Sequence, residues 1–126
     1  MGSEDRKPLM VKIISPEGVF YSFMKKQNVY IKSIVAKGVI PSKGGFSNIK
    51  DEAAYDFEIL PDHSPFVAKV SKNSEIRIKI NMNNNDMDSK YSTKNGGIVT
   101  VDYTNDNHTL AVFTLQDVKD PIEKNK

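Results

Sequence analysis

The sequence contains no cysteine and no tryptophan, and it has only 2 histidines among its 126 residues. Without cysteine the chain cannot form a disulfide, a thiolate metal site or a cysteine nucleophile. It also lacks the run of about 18 apolar residues that a membrane-spanning helix would need. The first ten residues, MGSEDRKPLM, lack the apolar stretch of a signal peptide. We therefore expect a soluble, cytoplasmic protein.

The charges of the chain are nearly balanced. Its 18 basic and 16 acidic residues give a net charge of +2, and they are scattered along the sequence. A nucleic-acid-binding barrel of the OB type would interleave basic and aromatic side chains on one face. The residues that could do so are Lys25, Lys26, Lys32, Lys37, Lys43 and Lys50, with Tyr21, Phe23 and Tyr30. Because acidic residues are interspersed among them, nucleic-acid binding is only the alternative function, and we expect no nucleic-acid partner.

Short segments of alternating apolar and polar residues recur between Gly, Pro, Asn and Asp signals, which is typical of an all-β domain. LMVKIIS and GVFYSF flank the turn SPEG, where Pro16 presets φ and Gly18 accepts a positive φ, so they predict a first hairpin. NVYIKSIVA predicts a further strand, with Ile31 and Ser33 on one face and Ile34 on the other.

The second half of the sequence continues this pattern. FVAKV predicts a strand, and SEIRIKIN predicts a half-buried strand through an apolar row at Ile76, Ile78 and Ile80. GGIVTVDY and HTLAVFTLQ, joined by TNDN, predict a last hairpin. We expect this hairpin to supply Val99, Val101, Leu110 and Val112 to the core.

The length of the chain suits one domain. Several short strands, with no convincing helical periodicity between them, predict an antiparallel sandwich or barrel. We expect a flexible N-terminus at 1–8, the domain at 9–117 and a short polar tail at 118–126. Two segments predict long loops, one rich in Gly, Ser and Lys at about 37–55 and one polar throughout at about 81–95.

The segment EILPDHSPFVAKV places His63 between two prolines. Asp62 and Ser64 flank it, but neighbours along an extended chain point to opposite faces, so adjacency does not predict a catalytic triad. No HxH or HExxH spacing is present. The glycine pairs at 43–45 and 95–97 are typical of turns. We expect no catalytic residue, no metal and no cofactor.

Four motifs, in order along the chain, resemble the epsilon subunit of F-type ATP synthases, which is called delta in mitochondria. They are VKIISPEGVFYS, EILPDHSPFVAKV, SEIRIKI and KNGGIVTVDYTNDNHTLAVFT. The second is similar to the family's PGHAPF corner, and the last to its SGGFVEV hairpin. The resemblance covers most of residues 9–117.

The resemblance implies an antiparallel β-sandwich of about ten strands. It also implies a non-catalytic rotor subunit that docks on a gamma-like subunit near the membrane ring. Alpha- and beta-like subunits would carry the ATP chemistry, and this subunit would help couple ATP hydrolysis or synthesis to rotation. The composition also suits the F-type-like motors of reduced genomes, such as those of mollicutes, where relatives include gliding machinery.

The resemblance also assigns residues. It implies a partner- or ring-facing loop with Asp56, Glu58, Asp62 and His63, a structural corner of Ile59, Leu60, Pro61, Pro65 and Phe66, and hairpin turns at Gly18, Gly96 and Gly97. Glu58 and Asp62 stand where the family usually has glycines. The stretch before the corner is longer than in the family, and we expect the family's C-terminal helical hairpin to be absent.

Overall fold

The computed structural model describes residues 8–23, 28–39 and 54–119. This part of the chain contains nine strands and no helix. The strands are β1 (Leu9–Ser15), β2 (Gly18–Phe23), β3 (Val29–Val39), β4 (Tyr55–Ile59), β5 (Phe66–Val70), β6 (Ser74–Met82), β7 (Asn85–Thr93), β8 (Gly97–Tyr103) and β9 (Thr109–Leu115). The predicted all-β class is confirmed. The described strands number nine rather than about ten, and they form one strongly curled sheet, a half-barrel.

The strand order in the sheet is β2-β1-β9-β8-β5-β3-β6-β7, with β4 attached to β3. β1 and β9 run parallel, and all the other pairs are antiparallel. Because β4 and β6 both pair with Ile34 and Val35, they flank β3 on opposite sides. The predicted first and last hairpins are β1–β2 and β8–β9.

The two ends of the sheet meet through aromatic side chains. Tyr91 of β7 packs against Phe20 of β2 with ring centroids 5.8 Å apart, and against Tyr21 at 5.1 Å. Burial raises the pKa of the Tyr21 phenol. Such aromatic pairs add a favourable contact beyond the area they bury. This packing brings β7, at one end of the strand order, over β2, at the other end, and so curls the sheet around the core.

The inner face of the half-barrel is apolar. The predicted row at Ile76, Ile78 and Ile80 is buried, which confirms the orientation of β6. The prediction that the side chains of β3 alternate strictly between two faces is wrong at one point, because the β3–β6 register shifts between Ile31 and Ser33. This bulge places both Ile31 and Ile34 in the core, since an extra residue on one strand reverses the faces that follow it.

The polar loop predicted at about 81–95 is wrong. This segment contains the end of β6 and all of β7, joined by Asn83 and Asn84 with φ of 52° and 70°. Asparagine tolerates this left-handed conformation, and two such residues form the tight turn that suits a twisted hairpin. The first half of β7 has both faces in solvent, so it shows no apolar row that alternation could detect.

Two other boundaries also changed. Lys37–Val39 ends β3 and Tyr55 begins β4, so the ends of the loop predicted at about 37–55 are strand; positions 40–53 lie outside the described residues.

In β9 the prediction that Leu110 and Val112 enter the core is wrong. Phe113 and its inward-facing neighbours Thr109, Ala111 and Leu115 are buried instead.

The predicted polar tail begins inside the domain. Val118 packs against the core, and Lys119 pairs with Ser92 of β7 through two backbone hydrogen bonds of 2.8 Å. At the other terminus, the Pro8 carbonyl accepts a hydrogen bond from the Thr109 N–H. Pro8, Val118 and Lys119 therefore contact the sheet or its core although they lie outside the predicted 9–117. Positions 1–7 and 120–126 of the predicted termini lie outside the described residues.

Candidate functional site

The proline-braced corner joins β4 to β5 at one end of the half-barrel. The His63 N–H donates to the Leu60 carbonyl at 3.1 Å, which closes a tight turn. The Asp62 N–H donates to the Thr109 hydroxyl at 3.1 Å, and Thr109 is fully buried at the start of β9. A buried hydroxyl that accepts this bond fixes the corner to the sheet.

Asp62 explains how the corner forms without a glycine. Its φ is 73°, in the left-handed region that glycine adopts most easily. Aspartate is one of the few other residues that visit this region readily, because its short side chain can form local hydrogen bonds. Asp62 can therefore hold the turn at a position where the epsilon family usually has glycine. Glu58 lies within the extended strand β4, where no such conformation is needed.

The His63 ring braces the corner. Its Nδ1 lies 2.8 Å from the Ser64 carbonyl oxygen, and since a carbonyl only accepts, this nitrogen carries the proton. The ring packs at 4.9 Å on Phe66, which meets Phe57 edge to face at 5.9 Å. His63 thus connects the turn to an aromatic cluster at the start of β5.

The residues predicted to face a ring or partner do not form one cluster. Asp62 and His63 lie in the turn, whereas Asp56 and Glu58 are exposed on β4, opposite Lys37 and Val35 of β3. A strand rises about 3.3 Å per residue, so Asp56 is about 10 Å away from the start of the corner. Among the structural residues, Ile59 is fully buried, while Leu60 is 49% exposed at the tip.

The glycine pair before the last hairpin belongs to a polar network that the sequence did not predict. Gly96 has a φ of 74°, and its N–H donates to the Thr93 hydroxyl at 3.0 Å. The Asp117 carboxylate accepts hydrogen bonds from the Thr93 hydroxyl at 3.1 Å, the Lys94 N–H at 3.0 Å and the Asn95 N–H at 2.8 Å. Asp117 therefore ties the segment after β9 to the β7–β8 connection.

The surroundings of Asp117 and Asp86 lower the pKa values of their carboxyl groups. Burial alone would raise the pKa of Asp117, but the hydrogen bonds from Asn95, Lys94 and Thr93 outweigh it and lower the pKa. Hydrogen bonds from Asn81 and Lys32, together with the lysine charge, lower the pKa of Asp86. Across the described ranges, no group of three or more His, Asp or Glu side chains is placed to hold a metal ion.

The basic and aromatic residues of the nucleic-acid interpretation are divided between the core and the surface. Phe23 is 8% exposed and Tyr21 packs on Tyr91, so neither ring is open to stack with a base. Tyr30 is 52% exposed, and Lys32 forms an ion pair of 3.1 Å with Asp86. Lys25, Lys26, Lys43 and Lys50 lie outside the described residues.

An apolar band on the outer face of the sheet is the main surface feature that the sequence did not predict. We call it the outer stripe; it consists of Val19, Ile14, Val112, Ile98 and Val67, on β2, β1, β9, β8 and β5 in turn. Val19, Ile98 and Val67 are 61%, 42% and 37% exposed, and Ile14 and Val112 are half-buried.

The strand registers place the members of the outer stripe on one face of the sheet. Val19 pairs directly with Ile14; the other neighbours in the stripe are diagonal, offset by two residues along adjacent strands, with Thr114 or Thr100 directly opposite them. Lys12 lies opposite Val112 and Lys69 lies opposite Ile98, so the stripe has cationic flanks. Exposed apolar side chains grouped on one face of a sheet are a common feature of binding sites for other proteins.

No helix in the described part of the chain is long and apolar enough to cross a membrane. In comparisons with known proteins, the sequence matches no protein-family model and no curated protein.

Proposed function

We propose that this chain is a non-catalytic stalk subunit of an F-type or F-type-like rotary ATPase and that it docks on a gamma-like subunit. The outer stripe is the observation that carries the proposal, because a subunit of this type needs an apolar surface for its partner. Its three exposed members, Val19, Ile98 and Val67, lie on strands of the sheet rather than on loops. A preformed surface binds with a small ordering cost.

The chemistry of the stripe specifies the partner's surface. Its centre is aliphatic, and Lys12 and Lys69 lie beside it in the same face of the sheet. The complementary surface is therefore apolar with acidic residues at its margins, since opposite charges around an apolar centre favour the correct orientation. An elongated stripe across five strands suits a long, narrow partner such as a helix of a central stalk.

The corner supports the same proposal in a second way. Its backbone is fixed by Thr109 and its His63 ring is held on Phe66, so it presents Leu60 and Asp62 in a defined arrangement. In the proposed assembly the corner contacts the membrane ring or another motor component. The outer stripe and the corner would then give the subunit two contacts, one with the stalk and one at the end of the half-barrel.

The test is affinity purification of the tagged chain from its native cell, compared with the variant Val67→Glu/Ile98→Glu. Both side chains are exposed, so the variant should fold, and Lys72→Glu in the β5–β6 turn is the matched control. We expect the wild type and Lys72→Glu to retain alpha-, beta- and gamma-like chains, and the stripe variant to lose them. A wild type that retains none of these chains would contradict the proposal.

A further inference from the structure

Asn95 and Gly96 form the single Asn-Gly pair of the sequence, in the connection between β7 and β8. Asparagine is a thermally labile residue. A following glycine favours its spontaneous deamidation, because glycine has no Cβ to hinder attack by its own backbone nitrogen. Asn95 is also exposed to water. The local sequence therefore predicts a reactive asparagine at this position.

Deamidation of Asn95 would consume water and release ammonia. The Gly96 nitrogen loses its proton and attacks the Asn95 Cγ. The N–Cγ bond forms, and Nδ2 takes up a proton and leaves as ammonia. Water then opens the cyclic imide: breaking the N–Cγ bond gives aspartate, and breaking the bond from the nitrogen to the main-chain carbonyl carbon gives isoaspartate. The first step thus needs a Gly96 N–H that has access to water and is free to move.

The folded structure keeps this N–H bonded and away from water. Gly96 is buried, and its N–H donates to the Thr93 hydroxyl at 3.0 Å. The hydroxyl has a single proton, which it donates to Asp117 at 3.1 Å, so its oxygen is left to accept from Gly96. Asp117 therefore orients the acceptor that holds the reactive nitrogen.

Further backbone bonds fix the bend on both sides of the reactive peptide unit. The Asn95 N–H donates to Asp117 at 2.8 Å, and the Gly96 carbonyl accepts from the Gln116 N–H at 2.9 Å. An added Cβ at Gly96 would meet the Val70 carbonyl, so the backbone has little room to move. The Gly96 nitrogen can therefore reach the Asn95 side chain only after these bonds open.

We propose that Asn95 is a latent modification site, which converts to aspartate or isoaspartate only when the segment after β9 leaves the β7–β8 connection. This segment carries Asp117 and Gln116. Its departure removes the carboxylate that orients Thr93 and the bond that holds the Gly96 carbonyl. The Gly96 N–H is then free to react.

The product prevents the original contacts from re-forming. The Asn95 side chain lies within hydrogen-bonding reach of the Asp117 carboxylate, so aspartate at position 95 would place a second negative charge beside the first. Isoaspartate instead adds a carbon atom to the main chain before Gly96, which shifts the Gly96 N–H away from Thr93. A brief opening would therefore leave a permanent covalent change.

The proposal goes beyond the stalk function and does not depend on it. Every group involved belongs to one chain, and the second reactant is water. The reaction can therefore be followed on the purified protein without a partner, and the failure of one proposal does not decide the other.

The experiment measures deamidation of the purified full chain at mildly alkaline pH, folded and in urea. Peptic digestion in acid, which slows the loss of the Gly96 proton, and mass spectrometry would locate the modification at Asn95. Thr93→Val removes the hydroxyl but keeps the shape of the side chain, and Thr93→Ser keeps the hydroxyl. Ile34→Val is the control for a general loss of stability, because it removes a buried methyl group outside the network.

We expect the folded wild type to deamidate at least about tenfold more slowly than the same chain in urea. Folded Thr93→Val should react at least about tenfold faster than the folded wild type, because an unpaired buried N–H makes the bend easier to open. Thr93→Ser and Ile34→Val should react at nearly the wild-type rate. In urea all four proteins should react alike, since the network is then absent.

Circular dichroism and thermal melts would show that each variant is folded. If Thr93→Val does not fold, Asp117→Ala takes its place, because it removes the bonds to Thr93 and Asn95 from a half-buried position. A folded wild type that reacts as fast as the chain in urea would overturn the proposal. So would a Thr93→Val rate equal to that of the wild type, or an Ile34→Val rate equal to that of Thr93→Val.

Discussion

Asp117 offers a quantitative test of how the end of β9 is held in the domain. Replacing it with Asn keeps the size of the side chain but removes its charge and one of its two acceptor oxygens. The carboxylate accepts hydrogen bonds from Thr93, Lys94 and Asn95. Hydrogen bonds to a charged group contribute about 1.5–3 kcal/mol each, and less where water can replace the partner. Since the site is half-exposed, we expect the free energy of unfolding to fall by about 1–2 kcal/mol.

Acidification should reduce the difference between the wild type and Asp117→Asn. The pKa of Asp117 in the folded protein lies below the ordinary value of 3.8, so the folded state binds this proton more weakly than the unfolded state does. The stabilisation is therefore complete above pH 3.8 and is lost as the pH falls through the lowered pKa. Asp86, whose pKa is also lowered, is present in both proteins and cancels in the comparison.

Urea unfolding at neutral pH and at several acidic pH values would measure this effect. Asp106→Asn in the β8–β9 turn is the matched control, because Asp106 bonds to the Thr104 hydroxyl through its backbone N–H and not through its carboxylate. We expect the control to match the wild type at every pH. A difference between the wild type and Asp117→Asn that is the same at neutral and strongly acidic pH would refute the reasoning.

Three further predictions concern the corner, a glycine and the alternative function. His63→Ala should lower the free energy of unfolding in urea by about 1 kcal/mol, because it removes the hydrogen bond to Ser64 and the ring contact with Phe66. An unchanged urea midpoint would show that His63 does not stabilise the corner. Gly96→Ala should lower the free energy of unfolding by at least about 1–2 kcal/mol in the same assay, since the φ of Gly96 is 74° and an added Cβ would meet the Val70 carbonyl. An unchanged free energy of unfolding would contradict that geometry. In a gel-shift assay at low salt, single-stranded DNA and RNA should remain unbound; a salt-dependent shift would instead favour the OB-like interpretation.

Alternation predicted the strands that have one wet and one dry face. The isoleucine row of β6 is of this kind, and the two hairpins were marked by their turn signals. Alternation failed where the two faces of a strand are alike. The first half of β7 is exposed on both faces, and β9 carries apolar residues on both, so the sequence could not tell Val112 from Phe113.

Other features depend on contacts between distant segments. The bulge that turns Ile34 inward is set by pairing with β6, and the corner depends on the hydroxyl of Thr109, which lies 47 residues beyond Asp62. The outer stripe combines residues from five strands, so it appears only once the strand order is known. The sequence did indicate the corner itself, because two prolines around a tight turn restrict the backbone locally.

The most direct test of the account is to identify the chains that co-purify with the tagged protein from its native cell. The account predicts alpha-, beta- and gamma-like subunits with the wild type and their loss with Val67→Glu/Ile98→Glu. Recovery of these subunits with both proteins would contradict the role of the outer stripe. Their absence from the wild-type sample would contradict the proposed function itself.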